Sequence, residues 1–171
     1  MVGDVIIGFF AEPLTRDDAK ILHIPVGSPE AQQVAEAMAI LIALRLWFKF
    51  WANGRVRLEV RSDSTVALIV TKELKGRSYG LRLVAAEIAI DIANASYEPD
   101  LFTHTPGVQN TLADLLSRRF QPKAAFKLPP TLQEATWCHP PARDQSWWKT
   151  LSPKIACAQV LDKVRCAIWE D

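Results

Sequence analysis

Net charge is almost absent from this sequence: 20 lysines and arginines face 19 acids, leaving +1 at pH 7. No global basic field therefore announces a polyanionic partner, and contact with one has to come from local patches. Cysteine is scarce as well. Cys138, Cys157 and Cys166 are odd in number and lack paired spacing, which argues against a disulfide framework and suits a reducing compartment. Cys138-His139 offers half a zinc site, but no CxxC or HxxxH completes it. Long clean apolar runs are missing too. The greasiest stretch, residues 34–51, is interrupted by Glu36, Arg45 and Lys49, short of the ~18 uninterrupted residues a membrane span needs. Met1-Val2-Gly3-Asp4 has no basic segment of the secretory kind, so an intracellular setting, cytoplasmic or nuclear, without membrane attachment is expected. Repeats and low-complexity segments are lacking.

What is present is ordinary folding material: 49% hydrophobic and 23% charged residues, enough for one core. Residues 5–11 form a β-branched and aromatic run, read as a buried strand that Pro13 stops. Residues 20–26 read as a second strand, ended by Gly27-Ser28-Pro29. Ser28 and Pro29 are an N-cap and first helical residue, and residues 30–51 are good helix formers, apolar almost all round. Such a helix belongs against a sheet. Asn53-Gly54 closes it.

Residues 55–63 alternate strictly, with Val56, Leu58 and Val60 on one side, and give the clearest strand. A short helix over 66–74, a basic loop from Lys72 to Arg77 and a long helix over 81–95 follow. Residues 100–104 read as a further strand, and Asn110 as the cap of a helix over 111–119. Strands alternating with helices indicate an α/β layer fold with some parallel pairing. Beyond Phe120 the character changes, with six of the eleven prolines and four of the six tryptophans. Residues 121–151 are therefore expected as an extended tail packing by its aromatics, and residues 152–171 as a terminal helix. The organisation is thus a domain over 1–120 with two appended segments.

Three acids occupy distinctive places. Glu36 is the lone acid of the greasy helix, Asp63 ends the best strand, and Asp114 lies on the last short helix. Strand ends and facing helices form the usual crevice of α/β folds. Carboxylates converging there suit hard divalent cations, and two such ions ~4 Å apart can activate a water for phosphodiester cleavage. Each acid also has a plain alternative. Glu36 could complement the helix dipole, Asp63 could cap the following helix, and Asp114 could be solvated.

Residues 36–44, Glu36-Ala37-Met38-Ala39-Ile40-Leu41-Ile42-Ala43-Leu44, resemble the glutamate helix of ribonuclease H, and Val60-Arg61-Ser62-Asp63-Ser64 resembles its "TDS" strand end. Residues 104–118 fit the H-x-P-G-x-x-N-x-x-A-D-x-L-S-R ending of retroelement ribonuclease H domains, a highly specific motif. In order and spacing the three cover residues 5–119. The resemblance implies a mixed sheet of five strands, three antiparallel then two parallel, with helices on both faces. It implies cleavage of the RNA strand of an RNA–DNA hybrid, leaving a 3′-hydroxyl. Glu36, Asp63 and Asp114 match the metal-binding acids, for two magnesium ions with manganese as substitute. His104 matches the histidine that aids turnover. Its plain alternative is a polar residue finishing a strand. Ser64, Thr65, Lys72, Lys75, Arg77, Asn110 and Arg118 are the expected nucleic-acid contacts, and a reverse transcriptase domain in a parent polyprotein the expected partner besides the hybrid.

Two departures stand out. The family's first strand carries an aspartate that bridges both metals, whereas this sequence reads from the second strand, so an N-terminally truncated domain is expected. Asp4 is the only acid near the start, and Val5-Ile6-Ile7-Gly8 does not match the small residues and glycines after the family's aspartate. Without the central strand, residues 5–11 should shift to pair against residues 56–61 to cover the open edge, or else the isolated chain should be aggregation-prone. Thr65 stands where many relatives carry glutamine. The alternative function is a non-catalytic remnant that keeps the fold and at most weak nucleic-acid binding. An integrase-like member of the same fold is opposed by the residue 104–118 motif. Arg118, Arg119 and Lys123 form a second basic patch, and Trp147-Trp148 are read as covering apolar surface rather than stacking on bases.

Overall fold

A computed structural model describes residues 5–25, 27–54, 58–95, 101–120 and 126–151. Asp4, Val56, Lys123, Cys157, Cys166 and the expected terminal helix lie outside them. The described elements are β1 (Gly8–Phe9), α1 (Arg16–Ile21), α2 (Pro29–Leu46), α3 (Phe48–Trp51), β2 (Glu59–Ser62), α4 (Thr65–Glu73), α5 (Tyr79–Ala93), β3 (Leu101–His104), α6 (Thr111–Ser117) and β4 (Thr136–Trp137). The fold is mixed α/β. Its described strands form two short parallel pairs, β1 with β4 and β2 with β3. None of the described helices is long and apolar enough to cross a membrane.

The core explains the greasy helix. Val34, Ala37, Met38, Leu41 and Leu44 of α2 are buried against α4 and α5, whose Ala67, Val70, Leu81, Val84, Ala85 and Ile88 are buried in turn. Ser28 caps α2 by accepting from the Ala31 amide at 3.1 Å, with Pro29 at the first position, as the sequence implies. Leu58 and Val60, on one side of the alternating strand, pack on the same core.

Three expectations are corrected. The strand expected over 20–26 is not found in its described part, residues 20–25. Helix α1 runs into them, started by a reciprocal box in which Thr15 accepts from the Asp18 amide and Asp18 accepts from the Thr15 amide. Leu22 and Ile24 still reach the core, so the apolar run reports burial correctly and period wrongly. The helix expected over 30–51 breaks at Trp47, whose φ of −106° and ψ of 16° are not helical. Trp51 then folds back and donates its indole N–H to the Leu44 carbonyl at 2.8 Å, satisfying an acceptor that the end of α2 leaves open. Finally, among the described residues β1 does not pair with the segment ending at Arg61. It takes β4 from the tail instead, with the Thr136 amide on the Ile7 carbonyl at 3.1 Å and the Cys138 amide on the Phe9 carbonyl at 2.8 Å.

The tail is held by more than aromatics. Trp148 is fully buried, and the Arg45 guanidinium lies 4.2 Å from the Trp147 ring centroid. Two ionic clamps flank this anchor. Arg143 reaches Asp18 through Nε at 3.0–3.1 Å, Glu12 through Nη1 at 2.9 Å and the Pro13 carbonyl through Nη2 at 3.1 Å. Burial pulls the Arg143 pKa down, but its hydrogen bonds and charge contacts with Asp18 and Glu12 more than offset that and hold it above the ordinary value. The second clamp joins Arg45 and Lys149 to Glu87 and Asp91.

Between the clamps, Asp144 accepts from the Ser146 hydroxyl at 2.6 Å and the Ser146 amide at 2.9 Å, which lowers its pKa. A depressed carboxylate pKa adds stability that is present above its unfolded value and lost as pH falls through the folded one. Acid titration followed by tryptophan fluorescence should therefore show a transition below the ordinary aspartate range that Asp144→Asn removes. An identical acid limb in the variant would reject this role.

The basic loop depends on one glycine. Leu74 ends α4 in a left-handed conformation (φ 55°) and sends the chain into Lys75-Gly76-Arg77. A Cβ on Gly76 would sit 2.4 Å from the Leu81 carbonyl carbon and 2.5 Å from the Arg82 nitrogen, both backbone atoms that cannot swing aside. Gly76→Ala is expected to cost about 1–3 kcal/mol by overpacking. Urea denaturation checks it, and a change within about 0.5 kcal/mol, as for an ordinary surface site, would show that the loop is not pressed onto α5.

Candidate functional site

The parallel register of β2 on β3 sets Ser62 against His104, which brings the chain after each strand to the same end of the pair. The Thr105 amide donates to the Ser62 carbonyl at 2.9 Å and prolongs the contact. Asp63 follows β2 directly and is exposed. It does not cap α4. Ser64 does, accepting from the Ala67 amide at 3.2 Å, so the capping alternative for Asp63 is excluded.

The Asp63 carboxylate is oriented from the β3 side. Asn110 Nδ2 donates to its Oδ1 at 3.0 Å. Asn110 occupies the N-cap position of α6, yet its side chain makes no capping bond. The sequence reading of Asn110 as a cap thus gives way to a tertiary partner. His104 Nε2 lies 3.2 Å from the Asp63 carbonyl oxygen. A carbonyl can only accept, so Nε2 carries the proton in this arrangement.

Asp114 stands one helical turn into α6, with its Oδ1 accepting from Arg118 Nε at 2.9 Å. Both side chains are well exposed, so the pair stabilises by no more than about 1 kcal/mol. Asp114 and Arg118 line a groove of about 410 Å³ with Gly107, Val108, Thr111, Leu115, Phe126 and Lys127. Gly107 links this groove to Asp63, because a Cβ built there would lie 3.5 Å from Asp63 Oδ2. Lining by Phe126 and Lys127 had no signal in the motif, since both belong to the tail.

Glu36 lies on the greasy helix. It is half-buried at the eighth position of α2, and Gln32 donates to its Oε1 at 3.3 Å. Eight residues in, it is beyond the first turn where the helix dipole acts, and Glu30 is the acid of that turn. Among the described residues no three His, Cys, Asp or Glu side chains are grouped to hold a metal ion.

The remaining expected contacts scatter by role. Thr65 is the exposed first residue of α4, whereas the Ser64 hydroxyl is occupied by capping. Lys72, Lys75 and Arg77 are exposed, and no ion pair involves them among the described residues. Arg119, by contrast, stacks 3.9 Å from the Trp137 centroid and is a structural cation. No protein-family model, curated protein or solved structure matches this chain.

Proposed function

We propose that this chain is a ribonuclease H-like domain of the retroelement type, which recognises RNA–DNA hybrids and hydrolyses their RNA strand. The observation that supports it is local. The residues of one motif, His104, Gly107 and Asn110, all turn toward Asp63 at the end of the parallel β2/β3 pair. Parallel pairing of these two strands, with α2, α4 and α5 packed together, also agrees with what the resemblance implies for the last two strands of its sheet. Lys72, Lys75 and Arg77 would neutralise phosphates without reading sequence. Residence beside a reverse transcriptase domain in a polyprotein belongs to the same reading.

Magnesium, or manganese in its place, is the ion such a centre takes, and Asp63 and Asp114 are its carboxylate donors in this reading. Among the described residues no three His, Cys, Asp or Glu side chains form a ligand set for it. The second reading is a non-catalytic remnant that keeps the fold and at most weak nucleic-acid binding. Incubating the full chain with a labelled RNA–DNA hybrid and magnesium separates the two. Cleavage lost in Asp63→Asn supports the nuclease. A folded chain that leaves the hybrid intact, with at most weak binding, removes the nuclease and supports the remnant.

A further inference from the structure

The groove beside α6 has two walls of different origin. One is the motif itself, Val108, Thr111, Asp114, Leu115 and Arg118, and the other is Phe126-Lys127 from the tail. We propose that this tail-built wall makes the groove a binding track for a single nucleic-acid strand, with a base against Phe126 and a backbone phosphate at Lys127. It rests on the nucleic-acid reading above and adds residues that the resemblance does not cover.

Charge commits the occupant. Among the described residues Asp114 is the one acid lining the groove and is already neutralised by Arg118, while no ion pair involves Lys127. The lining therefore carries one uncompensated positive charge, suited to a phosphate. The apolar parts suit a flat ring. Val108 is 86% exposed and Leu115 36%, which leaves aliphatic surface open beside a cation. The Phe126 ring is only half-buried and is steadied by Arg119, whose guanidinium lies 5.4 Å from its centroid, 5.3 Å from that of Phe120 and 3.9 Å from that of Trp137. A fixed ring is a better platform than a free one, because less side-chain entropy is lost on stacking. The groove's size lies in the ~300–1,000 Å³ range of small-ligand pockets, enough for a base and its sugar. Aromatic rings beside a cationic track bind single strands with little regard for sequence.

Fluorescence anisotropy with a labelled oligouridylate tests it on the full chain, Phe126→Ala and Lys127→Ala. Phe126→Ala is expected to weaken binding roughly five- to hundred-fold, the loss of one stacked base. Lys127→Ala should lower the slope of log K against log salt by about 0.7, the loss of one phosphate contact to a single strand. Lys127 is exposed, so its variant keeps the fold, and Phe126→Leu replaces Phe126→Ala if the latter melts early. Parent-like binding by both folded variants overturns the proposal, as does a parent that binds an amphipathic peptide there and no oligonucleotide. Hybrid cleavage measured alongside keeps the two readings apart. A chain that cuts hybrids yet ignores both substitutions loses the groove alone, and one that binds through Phe126 and Lys127 without cutting loses the nuclease alone.

Discussion

Arg45→Ala is expected to lower the unfolding free energy by about 3–5 kcal/mol, the usual result of removing one partner from a buried ionic cluster. Arg45 donates through Nε to Asp91 Oδ2 at 2.6 Å, through Nη1 to the Trp147 carbonyl at 2.9 Å and through Nη2 to both Glu87 and Asp91. Glu87 and Asp91 are almost wholly buried. With Arg45 gone, Lys149 alone would face two buried carboxylates, although Glu87 keeps the Lys149 and Thr150 amides at 3.0 and 2.7 Å. The tail's Trp147 would lose both its carbonyl partner and its cation, so loss of stability should come with a change in tryptophan emission. Arg45→Met should be no better, since the two acids remain. Arg45→Met combined with Glu87→Gln and Asp91→Asn should recover part of the loss, because it removes the buried charge itself. Denaturation of the four proteins decides. A cost below about 1 kcal/mol for Arg45→Ala, the level of an exposed ion pair, would mean that the cluster is solvated and the tail not clamped there.

That cluster marks the limit of what could be read in the sequence. Elements with strong local signals were legible: α2 from Ser28-Pro29 and its helix formers, β2 from alternation, α5 from its apolar stripe. So was the meeting of Asp63 with the residue 104–118 motif, because the resemblance placed both. The tail's docking was not legible. Arg45 meets Glu87 and the Trp147 carbonyl, and Arg143 meets Asp18, across 42, 102 and 125 residues, and no periodicity reports such pairs. Residues 20–26 show a different failure. A short apolar run cannot distinguish strand from helix, and the deciding signal is the Thr15/Asp18 box at its start, a local pattern that outweighs the run it precedes. Asn110 shows a third. Its N-cap position was right and its bond was not, because a tertiary acceptor outcompeted the helix amides.

That bond gives the second large effect. If the proposed hydrolysis holds, Asp63→Asn should cut the cleavage rate by about 10²- to 10⁴-fold, the contribution of a carboxylate positioned at a reacting centre. Asn110→Ala should cost about 10- to 100-fold, as partners that orient a reacting ligand do. The size of either loss alone would not establish that the two act together. Their combination would. Asn110 acts on Asp63 by donating to one carboxylate oxygen at 3.0 Å, so once the reacting carboxylate has become an amide there is little left for Asn110 to orient. The double variant should then be no slower than Asp63→Asn, a coupling as large as the Asn110 effect itself. The loss in Asn110→Ala should fall on kcat with KM unchanged, whereas Lys75→Ala, which removes an exposed cation, should raise KM and soften the salt dependence. Strict additivity of the two site substitutions would mean that Asn110 works on the nucleic acid instead, and that the Asn110–Asp63 bond is a resting contact which substrate displaces.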